Sequence, residues 1–288
     1  MISYLSYRTG DVLARCLPVH ISKSMTGVIA RSQYYLRVGS RGTVLDNLRI
    51  IMGREASERE IHDAAKNLFS NFGKSIYCLL RLPSTSLEEL RARCNYGGID
   101  VVTRELCRKG GFIIAGPHVG PWEIGGACLN ALGVRIHTVA LDHSSARVTR
   151  FFEERRRMAG IVSHPMGSSF SPLCDALEQG ACVALLIDRT FGRSPQSFPM
   201  FGRSIPLPTG HAALAVRCRV PILTAVCVFA PGGTFKFIYS GPYYPNLSLG
   251  EKAAVEDLHR RCRTDMEQFI RNHVDQWFSF RSLEGENE

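Results

Sequence analysis

The residues able to do chemistry gather around one short stretch. Phe112-Ile113-Ile114-Ala115 is an apolar run of the kind that forms a buried strand, and Gly116-Pro117 ends it abruptly. His118 therefore falls where a strand delivers its carboxyl end, the edge at which open α/β sheets bind ligands. Glu123 follows across Gly120-Pro121-Trp122. A helix beginning with Pro121 at its first position lets this carboxylate fold back on the imidazole. A carboxylate on one ring nitrogen fixes the tautomer and stabilises the imidazolium, leaving the other nitrogen to take a proton from a hydroxyl. This is the histidine-carboxylate half of a serine-hydrolase triad, with a substrate hydroxyl in place of the serine. The same spacing also arises in ordinary surface or core contacts.

Asp188-Arg189 follows Val183-Ala184-Leu185-Leu186-Ile187, a second charged pair at the end of a second buried strand. The two groups either meet substrate or neutralise each other, and two charged strand ends point to a shared cleft. Arg155-Arg156-Arg157 closes a helix before Gly160. Such a run ordinarily faces solvent and favours the helix dipole, while one arginine of the three can reach an anionic substrate. Thr209 is placed to cap a helix over 209–218. No G-x-S-x-G, G-x-x-x-x-G-K-[ST] or G-x-G-x-x-G occurs, which argues against serine hydrolases, P-loop enzymes and dinucleotide binders. The other histidines show no metal-ligand spacing, and no metal site is expected.

The elements that must hold these residues alternate. Strands are expected near 112–116, 134–141, 161–163 and 182–187, with helices near 121–131, 145–158 and 170–179 between them. An extended piece at 196–201, a helix at 209–218, strands at 220–229 and 234–240 and a helix from about 251 to 273 complete the pattern. It predicts an α/β sheet with helices on its faces. Ahead of it, Ser57-Glu58-Arg59-Glu60 is a capping-box signature opening a long amphipathic helix to about Leu80, broken by Pro83. Shorter helices are expected over 87–93 and 99–108. The chain reads as one continuous domain, with a helical N-terminal portion over 1–95 and the α/β core over 96–288.

With 288 residues and 45% hydrophobic content the chain can bury a sizeable core. No run of apolar residues is long enough to span a membrane, and no secretory signal is expected. The ten cysteines are scattered without a C-x-x-C pair, as reduced core thiols in a cytosolic compartment would be. The net charge is +9, and arginine supplies most of the basic residues. Arginine's planar fork suits a phospholipid surface, a phosphorylated glycolipid or nucleic acid, and the same excess also serves plain solubility. Residues 1–41 interleave Arg8, Arg15, Lys23, Arg31, Arg37 and Arg41 with Ile2, Tyr4, Leu5, Val28, Tyr35 and Leu36, against the lone acid Asp11. Such helices can lie in a membrane interface or pack on the core.

Taken together these motifs resemble the lipid A biosynthesis (lauroyl/myristoyl) acyltransferases, a family that includes the phosphatidylinositol mannoside acyltransferases, within the wider lysophospholipid acyltransferase-like group. Gly116-Pro117-His118-Val119-Gly120-Pro121-Trp122-Glu123 is similar to the family's His-x-Gly-Asn-Trp-Glu block, with Pro121 where the family has asparagine. Asn47-Leu48-Arg49, Arg156 with Gly160, and Ile187-Asp188-Arg189 resemble further segments. So do Pro199-Met200-Phe201-Gly202, Pro208-x-Gly210 and the closing Gln276-Trp277-Phe278. The resemblance implies a glycerolipid-acyltransferase-like domain with a central mixed sheet flanked by helices. It also implies a membrane O-acyltransferase that moves an acyl group from an acyl carrier protein or coenzyme A thioester to a hydroxyl of a lipid or glycolipid. His118 would be the general base with Glu123 as its partner; Arg156, Asp188, Arg189 and Gly202 would contact substrate or shape the cleft. No cofactor or metal and no nucleic acid enters this reading. The protein would sit peripherally on the cytoplasmic face of a bacterial inner membrane. A non-catalytic anionic-lipid-binding protein and a thioesterase are the alternatives.

Overall fold

A computed structural model describes residues 4–16, 26, 28–29, 31–36, 40–141, 145–167, 170–190 and 196–283. Ile2, Lys23 and Arg37 of the basic N-terminal stretch lie outside these residues. The apolar runs become the strands β1 (Cys94–Asn95), β2 (Phe112–Gly116), β3 (Ile136–Ala140), β4 (Ile161–Pro165), β5 (Cys182–Leu186), β6 (Ser197–Met200), β7 (Arg203–Pro206), β8 (Ile222–Ala230) and β9 (Thr234–Tyr243). Seven of them form one mixed sheet in the order β1-β9-β8-β2-β5-β3-β4. β2 is parallel to both β5 and β8, β3 to β5 and β4, and β9 runs antiparallel to β8. β2 and β5 thus sit at the centre and are apolar along their length, as strands covered on both faces must be.

Alternation along the central strands sends side chains to two cores. On one face Ile136, Ala225 and Cys227 pack with Ile124, Ala127 and Leu129 of the helix Trp122–Ala131 and with Phe151 and Phe152 of the helix Ala146–Met158. On the other, Ile113, Ala115, Val183 and Val226 meet Leu258, Cys262, Met266 and Phe269 of the helix Glu251–Asn272 and Leu214 of the helix Gly210–Cys218. A third cluster joins Leu48, Ile61, Leu68 and Phe69 to Phe278, which ties the N-terminal helices to the end of the chain.

The capping box forms as expected: Glu60 N–H donates to Ser57 Oγ, and Ser57 N–H donates to Glu60 Oε2 at 2.8 Å, starting the helix Glu58–Arg81. Four local features differ from the sequence reading. A helix Arg41–Met52, not anticipated, fills the segment before Ser57. Pro121 sits immediately before its helix rather than inside it. Thr209 precedes its helix without a side-chain cap. The extended piece at 196–201 proves to be one arm of a hairpin, β6 paired with β7. Cys94–Asn95, at the boundary drawn between the N-terminal portion and the core, supplies the edge strand beside β9.

Candidate functional site

The pairing of β2 with β5 sets Gly116 opposite Leu186. His118 and Asp188 each lie two residues beyond that last pair, so neighbouring strands release them at the same height. The Asp188 carboxylate accepts three hydrogen bonds. Its Oδ1 lies 2.6 Å from His118 Nδ1, while Oδ2 accepts the backbone N–H of His118 at 2.9 Å and the indole Nε1–H of Trp277 at 2.8 Å. Burial alone would raise this carboxyl; the His118 charge, its hydrogen bonds and the Arg189 charge prevail and hold Asp188 well below the usual carboxylate range. A carboxylate that stays ionised accepts and cannot donate, so Nδ1 carries a proton; in the neutral imidazole this tautomer leaves the lone pair on Nε2. The edge of the Trp122 ring, its centroid 5.0 Å from that of the imidazole, holds His118 from the side.

The loop around His118 is fixed by its own backbone. Val119 N–H donates to Pro117 O, Gly120 N–H to Gln276 O at 2.8 Å and Trp122 N–H to Gly120 O; Phe278 N–H in turn donates to His118 O at 2.9 Å. The C-terminal segment is thus laced to the loop, with Gln276 Oε1 accepting Phe229 N–H at 2.8 Å. Gly120 adopts φ +65°, and a Cβ there would stand 2.1 Å from Cys227 O, so only glycine allows the loop to lie this close to β8.

Glu123 does not fold back on the imidazole. Its carboxylate stands 3.4 Å from Arg156 Nη2, and the place predicted for it beside His118 belongs to Asp188. The physical reason is the helix start: with Pro121 outside the helix, Trp122 rather than Glu123 is the first-turn side chain against the imidazole. Glu123 and Arg156 instead line one wall of an apolar cavity of about 860 Å³, open solvent at its mouth included. Pro117 and Val119, which flank His118, line it together with Ile114, Ile136, Leu129, Ala184 and Phe237.

The other anticipated residues divide. Arg189 lies beside the dyad; its guanidinium donates to Phe278 O, and its buried Nε has no hydrogen-bond partner among the described residues. Arg155, read as part of a solvent-facing run, is buried and pairs with Asp11 at 2.7 Å. Gly202, at φ +74° after Phe201 at φ +54°, makes the tight turn between β6 and β7 and does not line the cavity. Trp277 was carried by the family pattern alone, with no role attached; nothing local in Gln276-Trp277-Phe278 marks it as a neighbour of Asp188. Among the described residues no cluster of histidine, cysteine or acidic side chains could hold a metal ion.

An imidazole held by a buried carboxylate at a strand edge, beside an apolar cavity, is an arrangement suited to activating a hydroxyl next to an alkyl chain. The chain belongs to the bacterial lipid A biosynthesis acyltransferase family, matching it over residues 5–283, and is an acyltransferase. It is similar to the phosphatidylinositol mannoside acyltransferase of Mycobacterium tuberculosis (strain CDC 1551 / Oshkosh), 25% identical over 87% of this chain and 79% of the relative. The protein of that name from Mycolicibacterium smegmatis (strain ATCC 700084 / mc(2)155) is 24% identical over 88% of this chain and 83% of its own.

Proposed function

We propose that the protein moves a fatty acyl group from an acyl carrier protein or coenzyme A thioester to a hydroxyl of a glycolipid at a membrane surface, with His118 as general base. The observation that carries this reading is the His118-Asp188 pair beside the apolar cavity: Nε2 is left free to accept a proton next to a space suited to an alkyl chain. His118 Nε2 takes the proton of the acceptor hydroxyl as its oxygen attacks the thioester carbonyl. Asp188 stabilises the imidazolium that forms. The tetrahedral intermediate then collapses to the ester, the carbon-sulfur bond breaks, and the imidazolium returns the proton to the leaving thiolate.

The loop amides of Val119, Gly120 and Trp122 are already engaged, and that of His118 serves Asp188. The charge of the oxyanion is therefore assigned to Arg189, whose buried Nε–H has no hydrogen-bond partner among the described residues. Glu123 holds Arg156 against the cavity wall, a half-buried pair at the side of the acyl channel. The acceptor is assigned to the glycosylated phospholipids because the relatives bear that name.

Membrane contact is assigned to the N-terminal helix Tyr4–Cys16. It leaves Leu5 73%, Val12 52% and Leu13 41% exposed around Arg8, while Ala14 and Asp11 face inward. No helix among the described residues is long and apolar enough to cross a membrane. The decisive experiment is transfer of a labelled acyl group into a lipid fraction by wild type and His118→Ala. Loss of transfer with an unchanged melting curve supports the reading. Undiminished labelling removes His118 from the chemistry, and release of free fatty acid without acceptor by wild type makes the protein a thioesterase.

A further inference from the structure

The first turn of the helix Trp122–Ala131 separates two cavities. Glu123 lines the apolar one; Ile124, the next residue, lines a second of about 1290 Å³, mouth included. This second cavity lies between the helix Glu58–Arg81 and the tip of the β8-β9 hairpin. β8 pairs with β2 only as far as Ala115 with Thr224, then continues to Ala230. Its tip therefore stands on the same side of the sheet edge as His118.

The two cavities differ in charge. Among the described residues the ions of the first are Glu123 and Arg156, which neutralise each other. Those of the second are Lys74, Arg81 and Arg93 against the carboxylate of Glu89, which Arg93 engages at 3.0 Å. Lys74 donates to Asn71 Oδ1 and Arg81 to Ala14 O, so both spend their hydrogen bonds on neutral oxygens and keep their charge. Lys74 and Arg81 are two turns apart on one face of their helix, aimed at one space. All three cations are half-buried, where a charge acts over a longer range than in bulk water. The floor between them is apolar, formed by Tyr77, Phe229 and Phe235.

We infer that this cavity receives the phosphate-bearing polar portion of one of the two substrates. Guanidinium groups match phosphate oxygens by geometry, and an apolar floor suits the remainder of an amphiphile. The inference rests on the acyl-transfer reading for the identity of the substrates, but not for the existence of the site. Both donor and acceptor can carry phosphate, coenzyme A in its nucleotide arm and a glycosylated phospholipid in its phosphodiester.

The test is calorimetric titration of the full chain with coenzyme A and, separately, with lysophosphatidylinositol in a nonionic detergent. Wild type is compared with Lys74→Glu and with Arg81→Gln, each checked by its melting curve, since Arg81 also braces Ala14. The expected result is about tenfold weaker binding of one probe in both variants, larger at low salt. The probe that weakens identifies which substrate occupies the site. Unchanged binding of both probes in folded Lys74→Glu overturns the proposal, and so does a wild type that binds neither. His118→Ala is expected to bind as wild type does. A protein with no transfer activity whose binding still falls in Lys74→Glu refutes the acyl-transfer reading and leaves the site standing.

Discussion

Two buried carboxylates in this molecule engage their nitrogen partners with nearly the same geometry in different surroundings. His118 and Asp188 meet at 2.6 Å, Arg155 and Asp11 at 2.7 Å, and in each pair the carboxylate is buried. The difference lies on the nitrogen partner. Arg155 lies over the Phe151 ring at 3.3 Å with its side chain 2% exposed, closed in on every side. His118 is 15% exposed and turns Nε2 away from its partner. A sealed pair only fastens the N-terminal helix to the helix Ala146–Met158, whereas a pair with one open nitrogen can pass a proton. Burial strengthens both contacts; only His118 has the open side that the proposed proton transfer requires.

The largest expected effects separate the pairs cleanly. Asp188→Asn should lower kcat per folded molecule by about 10²–10⁴-fold, because the imidazole loses its orienting anion. Asp11→Asn should act on stability instead. It strands the buried Arg155 charge and costs about 3–5 kcal/mol of stability in urea unfolding, with activity per folded molecule retained. If Asp11→Asn proves as stable as wild type and Asp188→Asn as active, the contrast fails on both sides.

A third kind of buried imidazole sharpens the comparison. His211 and His259 face each other with ring centroids 5.3 Å apart, and neither has a carboxylate beside it. Burial, then the neighbouring His259, pushes His211 down to about 3, and burial followed by Arg263 pushes His259 down to about 4. Both are neutral in the folded protein while the unfolded chain takes up protons near pH 6.5. Their contribution is therefore complete above about pH 7 and drains away as the pH falls from 6.5 towards 4, by roughly 3 kcal/mol for His259. Melting curves across that range should flatten in His259→Leu. Asp188 works in a lower window, its stabilisation being lost only below the ordinary carboxylate range.

The smallest effect concerns Trp277. Removing its indole donor in Trp277→Phe should lower kcat by about tenfold or less, because the indole reaches the imidazole only through Asp188, which keeps its other two hydrogen bonds. The acidic limb of the pH-rate profile should move, because the donor acts through Asp188; an unmoved profile would make Trp277 a packing residue only.

Much of this was legible in the sequence, and what was not has a physical cause. Apolar runs ending in Gly-Pro or in a charge marked β2 and β5 and placed His118 and Asp188 at the sheet edge. That they are neighbours was hidden, because β3 and β4 intervene along the chain and only the strand order 2-5-3-4 brings the two ends together. Five-residue spacing favoured Glu123 instead, and a shift of the helix start by one residue was enough to turn it towards Arg156. The burial of Arg155 had left a trace: it shares a helical face with Val148, Phe151 and Phe152, and Asp11 is the lone acid among the basic N-terminal residues. Trp277 left none, since its partner lies 89 residues away.

The insertion of β3 and β4 between the two central strands has one further consequence. The dyad belongs to β2 and β5, while Ile136, Thr138 and Ile161, which bound the greasy space, belong to the excursion between them. On the acyl-transfer reading, changes in that excursion alter the room for an alkyl tail without touching His118 or Asp188. Tail-length selectivity and proton transfer would then be free to diverge, although β2 and β5 contribute to both.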